Sequence, residues 1–510
     1  MTELLLGVDV GTQMTKGVLC EPDGRIVASA QVAHGTRNPQ PGWYEQDADA
    51  AWWGDFCSVT QTLLLQADVS PPQIAGVGCS AMTPNMLPLD RHGEPVRSAL
   101  LYRDNRSKEV YPEILEQVSE EAIFEMGGFP LRVHGGWQGA QLLWLRRHQP
   151  ELYRQTAKVV GTTNYLVYKL TGEFVADYAL ARCNIPFYDQ HRRYWSEERC
   201  GLLNVPMDLF PERIGHSTEI AGTVQAEAAR ACGLAEGTPV IFGAMDTNAD
   251  MVAAGVTVPG DVGLVYGTSL IVTKCLSEPC ASEGALSNDY VVPGRFLCGA
   301  GVQTGGAIVS WFRDRFGFEE REAEAAGGPD AFEALADLAA TVPAGADRLL
   351  VIPRFGGERA VLDGRLASGT VLGLSLFHTR AHLCRAILEG TAYEARRQLR
   401  QLAPEVPVTR IRSVGGGTQN RVWTQILTNV LGIEQRCFPE TSGAPYGVAY
   451  LAGLGVGLFA DFEPLTKNWV RGGYGVSLVH EEREAYERMY YLYCDALEML
   501  GLDGSGALPG

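Results

Sequence analysis

Apolar runs closed by glycine and hydroxyl residues recur along this chain. Leu4-Leu5-Leu6-Gly7-Val8-Asp9-Val10 predicts a buried strand, Gly11-Thr12-Gln13 a tight turn, and residues 15–20 a returning strand. Asp23-Gly24 lies between apolar runs and predicts a hairpin turn into a strand over residues 25–32. The opening is therefore a meander, not a strand–helix–strand unit. The pattern returns at residues 262–270, where an apolar strand enters a Gly267-Thr268 turn and Ile271-Val272-Thr273 leaves it. Two copies, one early in each half, suggest two related domains. The halves are expected to join within residues 235–256, giving domains over 1–245 and 246–510.

Other elements follow from the same periodicities. Residues 138–147 and 163–170 have helical spacing, and Leu388, Ala392, Ala395, Leu399 and Leu402 keep one helical face. Residues 323–340 are rich in alanine and glutamate and predict a surface helix, interrupted by Gly327-Gly328-Pro329. Residues 443–460 carry no charge, but glycine, alanine and Pro445 make the run a close-packed helix rather than a membrane span.

Three turns carry candidate chemistry. In the first, glycine lets backbone N–H groups approach a phosphate, the Thr12 and Thr15 hydroxyls can donate to it, and Lys16 can neutralise it. Asp9, at the end of the preceding strand, could hold Mg²⁺ through water. An ordinary hairpin whose Asp satisfies its own turn fits the same residues. The second lies at Gly243-Ala244-Met245-Asp246, where a strand gives way to an apolar run that can continue as a helix. A carboxylate there is held by backbone on one side and open on the other, which suits a general base; capping the helix is the commoner fate. The third is Gly415-Gly416-Gly417-Thr418-Gln419-Asn420, between a strand and a helix with Trp423, Ile426, Leu427 and Val430 on one face. Bare backbone there allows a flat ligand to lie close.

Competing motifs fail. There is no G-x-x-x-x-G-K-[ST] loop. Gly76-x-Gly78-x-x-Ala81 has dinucleotide spacing, but Pro84 spoils the helix it should open, so these are packing glycines. The 42 basic and 60 acidic residues give a net charge of −18, which argues against nucleic-acid binding. The 12 cysteines never form C-x-x-C, so a reducing, cytoplasmic setting is expected. Asp9 comes too early for a signal peptide, and no membrane partner is expected.

These pieces together resemble the FGGY carbohydrate kinases from about residue 4 to about residue 461. Gly7-Val8-Asp9-Val10-Gly11-Thr12 is similar to that family's first phosphate motif, Tyr266-Gly267-Thr268-Ser269 to its second, and residues 413–420 to its adenosine motif. Gly369-Thr370-Val371-Leu372-Gly373-Leu374, followed by His382-Leu383-Cys384-Arg385-Ala386-Ile387-Leu388-Glu389, is similar to its C-terminal signature. The resemblance implies an α/β fold of two ribonuclease-H-like domains of the actin/hexokinase type with a cleft between them. It implies an ATP-dependent kinase in which Asp246 takes a proton from a sugar hydroxyl and Asp9 organises Mg²⁺. Thr12 and Thr268 would hold the transferring phosphoryl group, Gly416, Gly417 and Asn420 would border adenosine, and Gly305 and Gly306 would flank the nucleotide.

The acceptor region departs from the family. Where xylulose kinases carry Gln-Met-His-Gly, this chain has Met82-Thr83-Pro84-Asn85, and the glycerol-kinase Asn-Gln-Arg-Glu is absent. Met82 and Thr83 remain candidate sugar contacts. Asp104, in Tyr102-Arg103-Asp104-Asn105-Arg106, is either a hydroxyl acceptor or a surface ion-pair partner of Arg106. Trp137 either stacks on a sugar or packs. A ketopentose or polyol phosphorylated at a primary hydroxyl is the leading expectation. The alternatives are an actin- or chaperone-like ATP switch and a sugar-binding regulator without catalysis. A homodimer is left open.

Overall fold

A computed structural model of the protein describes residues 3–128, 131, 135–280, 286–302, 304–355, 369–439 and 442–502. The chain divides into two units. The first holds Met1–Thr257, Ser287–Phe296 and Ser442–Arg471; the second holds Val258–Leu286, Leu297–Thr441 and Gly472–Gly510. The division therefore falls after Thr257 and not between residues 245 and 246. The reason is local: residue 246 opens a helix that continues directly from a strand of the first unit's sheet.

In the first unit, β1 (Leu4–Val10), β2 (Met14–Cys20) and β3 (Ile26–Ala33) form the expected antiparallel meander. Helix α1 (Asp55–Ala67) then leads to β4 (Ile74–Ala81), which pairs parallel with β1. Later come β5 (Ile220–Thr223), β6 (Pro239–Ile241) and β7 (Ala244–Met245). The sheet order is β5-β6-β4-β1-β2-β3, with β7 also on β4. Leu4, Leu5, Leu6, Val8 and Val10 are all buried. A strand covered on both faces needs an unbroken apolar run, and that is what the sequence supplies. Helix α2 (Asp246–Ala254) follows β7 without a linker and ends at Gly255, whose φ of +74° closes it.

The second unit repeats the plan. β8 (Asp261–Tyr266) and β9 (Leu270–Leu276) are antiparallel, and the sheet order continues at that edge with β11 (Phe296–Val302) and β10 (Leu286–Asp289), although Ser287–Phe296 counts with the first unit. Helices α3 (Gly305–Phe316), α4 (Ala331–Ala340) and α5 (Arg380–Gln401) intervene before β12 (Arg410–Val414), which lies parallel to β8. Helix α6 (Arg421–Leu431), β13 (Gln435–Phe438) and β14 (Tyr474–Val476) complete the order β10-β11-β9-β8-β12-β13-β14. In both sheets a meander is followed by a parallel strand beside its first member, the ribonuclease-H-like arrangement. The predicted helix over residues 323–340 is two helices, Phe318–Ala325 and α4, and α4 buries Ala331, Leu335, Ala336 and Ala339.

Two residues of the C-terminal signature form a buried ion pair. Arg385 and Glu389 on α5 are buried, with Nε 2.8 Å from Oε1. Glu389 also accepts from the Gly345 N–H at 3.0 Å, and Arg385 donates to the Tyr486 hydroxyl at 2.7 Å.

The chain then returns to the first unit with α7 (Ala444–Gly455), starting with Pro445 in its first turn as expected. It packs on β1, β4 and α2. A Cβ at Gly7 would lie 1.9 Å from the Pro445 carbonyl, and one at Gly447 1.9 Å from the Ala249 carbonyl. Gly76 and Gly78 sit against Val456 and Val448 of the same segment. These glycines serve close packing, as their failed dinucleotide context suggested.

Candidate active site

Three parallel strands of the first unit end at one level. Asp9 pairs in register with Ser80, and Ala244 pairs with Ser80 from the other side; Val10, Ala81 and Met245 form the next row. One step further the chain becomes Gly11, Met82 and Asp246. The carboxyl ends of parallel strands are where α/β sheets bind ligands, and three segments with candidate chemistry meet there.

Asp246 is the first residue of α2. Its Oδ1 accepts from the Thr247 N–H at 2.7 Å and the Thr247 hydroxyl at 3.3 Å. Among the described residues no hydrogen bond reaches Oδ2. Capping and catalysis are thus compatible: one oxygen anchors the side chain and the other is free to accept a proton. Burial, then the nearby Asp9 charge, pushes the carboxyl up to about 7 against the Thr247 donors. Asp9 is held by the Ser80 hydroxyl at 2.8 Å and faces Lys16 directly across the β1–β2 ladder. Burial raises it, and Ser80 and Lys16 oppose that rise.

Asp250 is a third carboxylate that sequence reasoning missed. It lies one turn beyond Asp246 on α2, and the spacing of four was its only signal. It accepts from the Ala444 N–H and so caps α7. Burial, then the Asp9 and Asp246 charges, holds it well above the usual carboxylate range.

The remaining first-unit expectations divide. Lys16 is exposed and Thr12 partly so, and the Thr12 hydroxyl lies 3.5 Å from that of Tyr102. Thr15 is fully buried and donates to Asp55 at 3.4 Å, because alternation along β2 turns it to the face opposite Lys16; it is not a phosphate contact. Met82 is 2% exposed within the apolar core, and its N–H bonds the Val10 carbonyl. Thr83 is partly exposed and donates to the Ala81 carbonyl at 3.3 Å. Asp104 is fully buried and paired with Arg106 at 2.8 Å, with a second bond from the Tyr44 N–H, so it braces the fold and cannot take a sugar hydroxyl. The pair was expected at the surface; it is buried because Trp43 stacks on Arg106 at 3.8 Å. Trp137 is 3% exposed, with its indole N–H on the Leu131 carbonyl, and it packs.

The second unit carries a pocket of about 1550 Å³ lined by Gly267, Thr268, Gly306, Gly416, Gly417 and Asn420, among others. Gly416 has open space where a side chain would be, whereas a Cβ at Gly417 would meet Trp423 and Tyr266. Asn420 caps α6 by accepting from the Trp423 N–H at 2.9 Å. The start of α3 is pinned to the Gly267 turn, with the Gly306 N–H on the Gly267 carbonyl and the Ala307 N–H on that of Thr268. Gly305 is buried against Leu270 and does not line the pocket; its role is to let α3 approach that turn. Such glycine-lined volume beside a helix start suits a nucleotide.

The family model for the N-terminal domain of the FGGY carbohydrate kinases matches residues 4–253, and that for the C-terminal domain matches residues 262–456. The chain belongs to the FGGY family of carbohydrate kinases. Among curated relatives, the L-xylulose/3-keto-L-gulonate kinase of Escherichia coli (strain K12) is 29% identical, covering 91% of this chain and 90% of that protein. A gluconokinase of Bacillus licheniformis is 26% identical over 85% and 84%. The crystal structure of xylulose kinase from Rhodospirillum rubrum superposes with a TM-score of 0.88 at 30% identity, over 98% of this chain and 99% of that one. As an FGGY kinase, the chain is an ATP-dependent sugar kinase with an alcohol group as phosphoryl acceptor. No helix among the described residues is long and apolar enough to cross a membrane.

Proposed function

We propose that this FGGY kinase transfers the γ-phosphate of ATP to a primary hydroxyl of a ketopentose of the xylulose or ribulose type, or a related polyol. Asp246 is the general base. The observation that carries this is the free Oδ2 of Asp246, on a carboxylate pushed up to about 7 at the edge of three parallel strands. A base poised near neutrality is partly deprotonated at working pH and basic enough to take the proton as the alcohol attacks.

Phosphoryl transfer asks the protein mainly for positioning and charge neutralisation. Thr12 donates to the transferring group and Lys16 neutralises it, and Thr83 borders the acceptor. Gly267, Thr268 and Gly306 hold the ATP phosphates, and Gly416, Gly417 and Asn420 border the adenosine in the second unit's pocket.

The residues present fit Mg²⁺. Asp9, Asp246 and Asp250 repel one another, and a divalent cation would relieve that repulsion. No group of three or more His, Cys, Asp or Glu among the described residues could hold a metal by itself. Mg²⁺ is bound through one or two carboxylates, waters and substrate phosphates, and here Asp9 would be the protein ligand. When bound, Mg²⁺ supplies charge stabilisation to the phosphoryl group. The names of relatives that act on xylulose and L-xylulose support a ketopentose.

The test is ATP turnover against D-xylulose, L-xylulose, D-ribulose, D-gluconate and glycerol, for the native chain and Asp246→Asn. Stimulation by a ketopentose that the variant abolishes is expected. Stimulation by glycerol alone would narrow the acceptor to a polyol, stimulation by gluconate alone would reassign it, and none at all would overturn the proposal.

A further inference from the structure

The Gly11-Thr12-Gln13 turn is tied down from behind by one segment, residues 34–46. The Gly11 carbonyl lies 2.9 Å from Nε2 of His34. The Thr12 carbonyl accepts from Nε2 of Gln46 at 2.9 Å and from the Thr36 hydroxyl at 3.3 Å. The Gln13 carbonyl accepts from the His34 N–H at 2.9 Å. Three successive carbonyls are thus held on one side.

In a trans peptide the C=O of one residue and the N–H of the next point in opposite directions. Holding the Gly11 and Thr12 carbonyls back therefore aims the Thr12 and Gln13 N–H groups away from residues 34–46. Neither N–H has a partner among the described residues. The clamps are themselves fixed. Gln46 is 1% exposed and accepts from the Trp52 indole at 2.9 Å. The His34 side chain is 6% exposed, and its Nδ1 lies 2.7 Å from Oδ2 of Asp55, at the start of α1. A carbonyl can only accept, so Nε2 of His34 must be the donor to Gly11; the 2.7 Å contact of Nδ1 with Oδ2 of Asp55 then needs a further proton between ring and carboxyl, and it fixes the ring in that pose.

We infer that His34 is a positioning residue for phosphoryl transfer, holding the turn so that the Thr12 and Gln13 N–H groups meet the transferring phosphoryl group. This rests on the proposed role of the Thr12 turn. An ordinary satisfied core histidine would have the same burial but would act on stability alone, and kinetics separate the two.

The test uses the full chain with whichever of the five sugars above stimulates turnover, and compares native protein with His34→Ala, His34→Gln and Asp246→Asn. Removing a preorganised donor typically costs about 10²–10³ in kcat. A misaimed turn should cost somewhat less, so His34→Ala should lower kcat about 10- to 100-fold, with KM for the sugar held within about threefold. His34→Gln can still donate to the Gly11 carbonyl and should recover most of that loss. If His34→Ala does not fold, His34→Gln with near-native kcat still supports the inference, and His34→Gln as impaired as Asp246→Asn overturns it. It is also overturned if His34→Ala keeps kcat within about threefold, or if its kcat loss merely follows a fall in Tm. No stimulation by any sugar, or an Asp246→Asn variant as active as the native chain, removes the underlying reading of the site and this inference with it.

Discussion

In the proposed reaction Asp246 would unite two roles that usually compete at a helix start. Its Oδ1 is spent on Thr247 and its Oδ2 is not. Replacing it with Asn keeps the capping oxygen and removes the base, so sugar-stimulated kcat should fall about 10²- to 10⁴-fold while the fold persists. Circular dichroism and turnover on one preparation check both halves. Its pH dependence follows from the same group. The base must be deprotonated, so kcat/KM should rise with pH through about 7 and level off above it. Stability runs the other way. The native value lies above the ordinary 3.8, so the folded protein holds a proton that the unfolded chain has released between 3.8 and about 7. Stability from this group therefore falls as pH rises through that window. Asp246→Asn should melt higher than native protein at pH 8 and at about the same temperature at pH 4. Equal melting temperatures at pH 8 would show that the buried charge carries no cost.

Elements were legible where periodicity and turn chemistry agree. The meander β1–β3, its repeat at β8 and β9, the strand into Asp246 and the close-packed helix α7 all follow from apolar runs and glycine turns. What sequence reasoning misassigned were polar residues whose facing depends on tertiary packing. Thr15 and Lys16 are neighbours on β2 but point to opposite faces, and only the position of α1 decides which face is buried. Asp104 and Arg106 look like a surface pair until Trp43 covers them. Asp250 and His34 stand outside every motif, and their partners, Ala444 and Gly11, are distant in sequence.

The signature on α5 shows the converse, a strong motif whose Arg385 and Glu389 are spent on each other in the core. Breaking a buried ion pair by removing one partner costs about 3–5 kcal/mol, because the survivor is left unpaired. Arg385→Met strands Glu389, which burial already pushes up to about 7. A loss of that size in urea unfolding is expected, larger at pH 8 than at pH 6, with KM for ATP unchanged in the protein that remains folded. A change in ATP affinity without loss of stability would instead give the signature a part in nucleotide binding.

For the whole molecule, the order of segments along the chain limits what can fold alone. The first unit looks, from the matched family domain at residues 4–253, like a continuous piece. Yet its sheet is covered by α7, which is supplied some 190 residues after Thr257 and buries ten successive residues from Ala444 to Gly453. The Gly7–Pro445 and Gly447–Ala249 approaches leave no room for water or for another side chain between these backbones. A fragment of residues 1–257 would expose the apolar face that β1, β4 and α2 present to α7. Burial of large apolar side chains is worth about 1.5–3 kcal/mol each, and Val448, Tyr450 and Leu451, all with 0% exposure, are lost together. Net domain stability is only about 5–15 kcal/mol, so the fragment should lack a cooperative native state. The expected outcome is aggregation, or a collapsed species that binds a hydrophobic dye and melts without a sharp midpoint. Joining residues 1–257 through flexible linkers to residues 287–296 and 442–471 should restore a cooperative transition. If residues 1–257 alone melt sharply, α7 is an accessory to the first unit and not part of its core.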